Sequence, residues 1–163
     1  MTASGTEGEL AAAALCPGVG SGQLLPLDEP LSFWGGTDRR TGMIIDAHHP
    51  QHGTSIAGRV LLMDATRGSS SSSSVLAEQL RAGVGPAAIL LTARDAIVAL
   101  GALAAAELYG TAMPLAMLDA GASATLRTVA GPMPIVSVTA RADGTAAVVL
   151  QPPSIPRQTK DPS

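Results

Sequence analysis

Six consecutive serines, Ser69 to Ser74, follow Arg67-Gly68 and lead into Val75-Leu76. Hydroxyls in such density can bind an anion. The apolar run Val60-Leu61-Leu62-Met63 precedes the serines, and a helical pattern, Val75-Leu76-Ala77-Glu78-Gln79-Leu80-Arg81, follows them. The spacing therefore predicts a strand, a serine turn and the first turn of a helix. A helix N-terminus leaves N–H groups unpaired and carries partial positive charge, which suits an anion. Gly68 lets the backbone bend or approach a ligand closely. Serine is also a good N-cap, so Ser73 or Ser74 is expected to begin the helix. The Gly-x-x-x-x-Gly-Lys-Ser/Thr pattern of a phosphate-binding P-loop is absent. Six serines are also the composition of a flexible linker. This run is short, abuts a strand and a helix without a proline or charged spacer, and starts with Arg-Gly, all of which argue for a site.

Two further segments concentrate chemistry. Phe33 and Trp34, two of the three aromatics in the chain, stand side by side before Gly35-Gly36. They read either as a hydrophobic plug above a turn or as a contact surface for a partner or substrate. All three histidines, His48, His49 and His52, fall in one short segment. A histidine cluster invites a metal, but no cysteine is near it and Asp46 is the only close carboxylate. A polar loop at an interface or active-site rim is the better reading, with His48 and His49 as its candidates. No metal ligands are assigned.

The elements that must position these groups are built from small apolar residues. The chain has 163 residues, 46% hydrophobic and only 2% aromatic, enough for one domain with a core of Ala, Val, Leu, Ile and Met. Charged residues are 14%, and so little surface charge suggests that a partner covers part of the molecule. The net charge of −3, without a basic cluster, argues against nucleic acid. One cysteine, Cys16, cannot form an internal disulfide or hold an iron–sulfur cluster alone. That suits a cytoplasmic protein, as does the lack of a basic region ahead of the N-terminal alanines. No apolar stretch reads as a membrane span.

In chain order, residues 1–9 are expected as a disordered tail, and Ala11 to Leu15 as a strand or a short helix. Pro17 to Gly22 is expected as a turn-rich loop, and Gln23 to Leu27 as a strand whose proline places it near an edge. Met43 to Asp46 reads as a short strand, Ser55 to Met63 as a longer one. The helix after the serines should close at Arg81-Ala82-Gly83. Pro86 to Leu91 reads as a buried parallel strand. Ile97, Leu100, Ala104 and Leu108 mark the apolar face of a second helix ending at Gly110. Pro114 to Leu118 is a further strand, so right-handed crossovers and a largely parallel inner sheet follow. Pro134 to Ala140 and Ala146 to Leu150 form a hairpin about Asp143-Gly144. Residues 151–163 read as a second disordered tail.

Several of these segments match a known family. Leu31-Ser32-Phe33-Trp34-Gly35-Gly36-x-Asp38 with Thr41-Gly42 resembles the small subunit, or swivelling domain, of the aconitase X family. So do Asp46-x-His48-His49-Pro50-x-His52-Gly53-x-Ser55-Ile56-Ala57-Gly58, Arg67-Gly68-Ser69, and Gly83-x-Gly85-Pro86-Ala87-Ala88-Ile89. The match covers about residues 10–150, in order. The resemblance implies an α/β swivelling domain of β/β/α type, like the mobile domain of aconitase: a mixed sheet or barrel with flanking helices. It implies a hydro-lyase that works with a large subunit carrying an iron–sulfur cluster or iron, with no cofactor in this chain. It implies dehydration of a small hydroxy acid: cis-3-hydroxy-L-proline, or alternatively phosphomevalonate. In the family the serine directly after the glycine of this turn is the proton acceptor, which is Ser69 here. Glycine is common in relatives at the position of Ser72, so Ser72→Gly is expected to be tolerated.

Dehydrating a 3-hydroxy acid requires loss of a proton beside the carboxylate and of hydroxide from the next carbon. Iron can act as Lewis acid on the leaving hydroxyl. A serine serves as base only as an alkoxide stabilised by N–H groups and positive charge. Arg67, Gly68, Ser70 and Ser71 are the candidates to bind the substrate carboxylate at the same turn. The competing reading is a non-catalytic docking module, which needs no particular serine.

Overall fold

Val60-Leu61-Leu62-Met63 lacks polar alternation because both of its faces are covered. In the computed structural model, which describes residues 8–131 and 133–151, this strand is β3 of a barrel. The other strands are β1 (Glu9–Cys16), β2 (Gly18–Pro26), β4 (Ala88–Leu91), β5 (Leu115–Met117), β6 (Ile135–Ala140) and β7 (Thr145–Leu150). They close in the order β1-β5-β4-β3-β2-β6-β7. β2, β3, β4 and β5 run parallel to one another, β1 pairs antiparallel with β5, and β6 and β7 form the expected hairpin and close the barrel antiparallel against β2 and β1. The two tails expected from sequence lie outside the described residues, apart from residues 8, 9 and 151; β1 begins at Glu9.

Period-two alternation divides the apolar residues between two cores. Val60, Leu62, Ala88, Leu90 and Ala116 point into the barrel, where they meet Leu24, Val136, Val138 and Val148. Leu61, Met63, Ile89, Leu91 and Leu115 point outward beneath two helices, α2 (Ser71–Ala82) and α3 (Ala96–Tyr109). These helices are the crossovers between the parallel strands, and Gly83 and Gly110 end them in the left-handed conformation, as expected. α1 (Phe33–Gly36) is a single irregular turn. α4 (Ala120–Val129), which the pattern reading did not find, starts at the N-cap Asp119 and adds Ala122 and Leu126 to the barrel interior. Among the described residues no helix is long and apolar enough to cross a membrane.

Six sequence expectations need correction or narrowing. Ala11 to Leu15 is strand, not helix, because β5 and β7 both pair with it. Pro17 to Gly22 is not a loop: Gly18 to Gly22 pair along β6. A Cβ on Gly20 would sit 2.0 Å from the carbonyl oxygen of Ala87, and one on Gly22 2.0 Å from that of Gly58. The alternating glycines therefore mark a strand crossed closely by other backbone. β2 is not an edge strand of the closed barrel, but Pro26, its last residue, pairs only with Leu62 on the β3 side, beyond the stretch that pairs with β6, so no ladder bond needs its missing N–H there. Only Val60 to Met63 of the longer run is strand, and Met43 and Ile44 make isolated bridges to Ser55 and Thr37. Lastly, α3 buries Val98, Gly101, Ala102 and Ala105, while Leu100 and Leu108 are exposed. That helix is apolar almost all round, and its small residues let it approach α2, so the leucine stripe faces out.

Gly20→Ala and Gly22→Ala should each destabilise the domain by about 1–3 kcal/mol or prevent folding, because backbone must move to admit the methyl group. Gly131→Ala, whose Cβ would meet nothing within 4 Å, is the control. Thermal unfolding of the three variants checks this; equal midpoints would refute the close-crossing explanation.

Candidate functional site

The parallel strands β2 to β5 bring their carboxyl ends to one end of the barrel, where α/β sheets commonly bind ligands. Four loops meet there: Leu27 to Ser32 after β2, Asp64 to Ser70 after β3, Thr92 to Asp95 after β4, and Leu118-Asp119 after β5. Arg127 of α4 reaches the carbonyl oxygen of Leu27 at 3.1 Å and ties α4 to this end.

The serine turn is held from both sides. Upstream, the Thr66 N–H donates to Asp95 Oδ2 at 2.7 Å and the Thr66 hydroxyl donates to the same oxygen. The other oxygen of Asp95 caps α3, accepting from the N–H groups of Ile97 and Val98 at 3.0 and 3.1 Å. Burial by itself pushes the Asp95 carboxyl up, but these hydrogen bonds from Thr66, Val98 and Ile97 outweigh it and hold the group below the usual carboxylate range. Downstream, the Trp34 N–H donates to Ser72 Oγ at 3.2 Å, and Ser73 Oγ donates to the carbonyl oxygen of Ile97 at 2.9 Å. Gly68 lies between, at φ +106°, and a Cβ there would meet Ser32 Oγ at 2.7 Å. Only glycine fits both conditions.

The helix begins earlier than Ser73 or Ser74. α2 starts at Ser71, with Ser70 as the flanking residue, and Ser69 Oγ accepts from the Ser71 N–H at 3.3 Å. The six serines thus divide by function. Ser69, Ser70 and Ser71 are exposed at the helix mouth, Ser72 and Ser73 are buried and anchor the turn, and Ser74 is exposed again on α2. Arg67 lies beside them, half exposed, 4.0 Å from the Glu29 carboxylate. Its backbone N–H donates to the carbonyl oxygen of Leu31 at 3.0 Å.

The structure joins the aromatic segment to the serine turn through Ser32, Trp34 and Ser72. Within that segment the two aromatics part ways. Phe33 is fully buried in the outer core, so it packs rather than lines a rim, while Trp34 is 57% exposed. The histidine loop is joined less directly. His49 is buried: Nδ1 accepts from the Gln51 N–H at 3.1 Å, which leaves Nε2 to donate to the carbonyl oxygen of Glu29 at 3.1 Å. It therefore holds the Glu29 segment in place and is not a rim group. His48 is exposed, and its N–H donates to Asp46 Oδ1 at 2.9 Å. Asp95 and Thr66, which hold the turn to α3, escaped the sequence reading; Asp95 ahead of an apolar helix was the available signal.

Burial pushes the Cys16 thiol up, both nitrogens of His49 are engaged, and among the described residues no three His, Cys, Asp or Glu side chains are grouped to hold a metal.

Two tests follow. Asp95→Asn keeps the cap but removes the charge. The Asp95 contribution is complete above its ordinary pKa of about 3.9 and is lost as pH falls through the lower folded value. The stability gap between the native chain and Asp95→Asn should hold from neutrality to about pH 5 and shrink below about pH 4. Urea unfolding across that range checks it, and a gap indifferent to pH down to 3 would refute it. Ser72→Gly removes the acceptor for the Trp34 N–H and adds a glycine to a helix. It should cost about 1–2 kcal/mol of stability, despite the glycine expected to be tolerated there.

The sequence model of the Aconitase X swivel domain matches residues 9–148. A cis-3-hydroxy-L-proline dehydratase of Pseudomonas aeruginosa is 49% identical over 104 residues, covering 64% of this chain and 18% of that protein. The chain thus spans less than a fifth of that relative. A phosphomevalonate dehydratase small subunit of Methanothermobacter thermautotrophicus is 44% identical over 88 residues, covering 54% of this chain and 67% of its own length. Among solved structures, Thermococcus kodakaraensis aconitase X in its holo-form superposes with a TM-score of 0.73 at 26% identity, covering 88% of this chain and 98% of that one. With the barrel and the family match in agreement, the chain belongs to the aconitase X swivel-domain family.

Proposed function

We propose that this chain is the small subunit of an aconitase X-type hydro-lyase, with Ser69 as the base that takes the substrate's α-proton. The observation that carries the reading is the exposed turn Ser69-Ser70-Ser71 at the mouth of α2, in a chain of this family. Substrate and companion large subunit belong to the proposal. Dehydration of cis-3-hydroxy-L-proline is favoured by the 49% identity to an enzyme of that name. Phosphomevalonate is the alternative, from the 44% identity to a small subunit of that dehydratase.

In this reading the substrate carboxylate is bound by the hydroxyls of Ser70 and Ser71, the Gly68 backbone and Arg67. Arg67 exchanges its long contact with Glu29 for the substrate. An exposed pair of this kind is worth no more than about 1 kcal/mol, so the exchange is easy. Ser69 Oγ already accepts an N–H from the helix start, and that donor with the helix field lowers the cost of an alkoxide. The alkoxide takes the α-proton and becomes a hydroxyl. The electron pair left on the α-carbon forms the double bond as hydroxide departs from the neighbouring carbon. The iron–sulfur cluster or iron is assigned to the large subunit, where it would supply Lewis acidity; this chain's residues supply the base and the carboxylate site.

One observation favours a second reading, a non-catalytic docking module: Ser69 Oγ caps the helix, which is a structural role. Two substitutions separate the readings. Ser69→Ala removes base and cap; Ser69→Asn restores a cap but not the base. Assembled with the large subunit and given both substrates, each variant should bind normally and lose about a hundred- to ten-thousand-fold in turnover. Each should also lose exchange of the α-proton with deuterated water. Recovery of turnover in Ser69→Asn would refute the base and leave a cap.

A further inference from the structure

The exposed leucine stripe of α3 borders an open groove. Leu100 is 59% exposed and Leu108 69%, an unusual display on a chain with so few large side chains. Between α3 and α2 lies a cleft of about 390 Å³, lined by Leu100, Ala104 and Leu108 on one side and Ser74 and Ala77 on the other. Its far wall is polar. Tyr109 donates to Glu78 Oε1 at 3.2 Å, and Arg81 donates to Glu78 Oε2 at 2.8 Å.

Glu78 also lines a second cleft of about 360 Å³, together with Arg39, Arg40 and Arg81. Among the described residues the carboxylates within 4.0 Å of an arginine are those of Glu29 and Glu78, so Arg39 and Arg40 have no such partner. They stand on a rigid turn. Asp38 Oδ1 accepts from the N–H groups of Arg40 and Thr41 at 2.7 and 3.0 Å, and the fully buried Gln79 of α2 donates to the Asp38 carbonyl oxygen at 3.1 Å. Three guanidinium groups against two carboxylates, Glu78 and Asp38, leave this spot positive by one charge on a chain of net charge −3. An apolar groove therefore passes over Glu78 into an arginine pocket, with little side-chain freedom left to lose at the join.

We propose that this surface seats a segment of the large subunit that presents apolar side chains to the groove and a carboxylate to Arg39 and Arg40. The proposal rests on the small-subunit reading and adds the docking face to it. Charge complementarity identifies the occupant, because arginine pairs favourably and geometrically with carboxylates. A second copy of this chain does not meet it. A two-fold contact sets the same patch against itself, and both of its carboxylates are engaged within the chain, Glu78 by Arg81 and Tyr109 and Asp38 by the N–H groups of Arg40 and Thr41. The position is also productive. α2 carries the serine turn at its N-terminus, so a partner seated along α2 and α3 is aligned with Ser69.

The test uses the native chain, Leu100→Asp with Leu108→Asp, and Arg39→Glu with Arg40→Glu, each titrated into the large subunit by calorimetry at two salt concentrations. All four positions are exposed, so folding should survive, and circular dichroism checks that it does. Each pair should weaken binding roughly tenfold or more, and the arginine pair should also flatten the salt dependence. If the native chain binds and both pairs bind within about twofold of it, the docking face is wrong while the small-subunit reading stands. If only the leucine pair weakens binding, the carboxylate is wrong. Self-association of the native chain, abolished by the leucine pair without effect on the large subunit, would give the groove to a second copy. Failure of the native chain to bind at all would refute the small-subunit reading itself.

Discussion

β3 and β4 are covered on both faces, and that double burial organises the molecule. Each strand sends alternate residues inward, Val60 and Leu62, Ala88 and Leu90, to a barrel core made without any aromatic side chain. The other residues face α2 and α3. A strand in this position can reach its parallel neighbour only by a crossover, so each strand ends in a loop that opens a helix. The serine turn is one of these loops. Its place follows from burying Leu61 and Met63 beneath α2, not from any preference of the serines themselves.

What the serines add is a division of labour within one turn. Buried Ser72 and Ser73 hold the turn to Trp34 and to the start of α3, and their neighbours Ser69 to Ser71 are left in the open. A hydroxyl becomes a base only where its negative charge is stabilised, and this chain offers Ser69 one backbone donor and the field of one helix. The nearest guanidinium, Arg67, is shared with Glu29. Chemistry at such a turn depends on enclosure by something outside the chain, which removes water and strengthens every remaining charge.

Much of the fold was legible because the local signals agreed with one another. The apolar runs bounded by Gly and Pro became β3, β4 and β5, Gly83 and Gly110 ended the helices, and Asp143-Gly144 turned the hairpin. Signals with two physical meanings were misread. Gly18 to Gly22 carries turn composition, yet Gly20 and Gly22 are there because other backbone passes where a side chain would be. The 3.6-residue spacing of Leu100, Ala104 and Leu108 is real, but a helix apolar almost all round has no face that spacing alone can choose. Gly101, Ala102 and Ala105 won the inner side because close approach to α2 rewards small residues.

By itself the sequence determined which segments carry chemistry: Phe33-Trp34, the histidine loop and the serine turn stood out through residue type, and their motifs pointed to the family. It also determined the order from β3 through α2, β4 and α3 to β5, and the closing hairpin, through hydrophobic period, which is a local property. Only the tertiary structure decided what each side chain does. Phe33 and His49 turned inward, one to packing and one to hydrogen bonds with Gln51 and Glu29, while Trp34 and His48, their immediate neighbours, stayed exposed. Six identical serines were told apart because burial depends on which strands and helices close around a residue, and that is set by contacts far away in the chain.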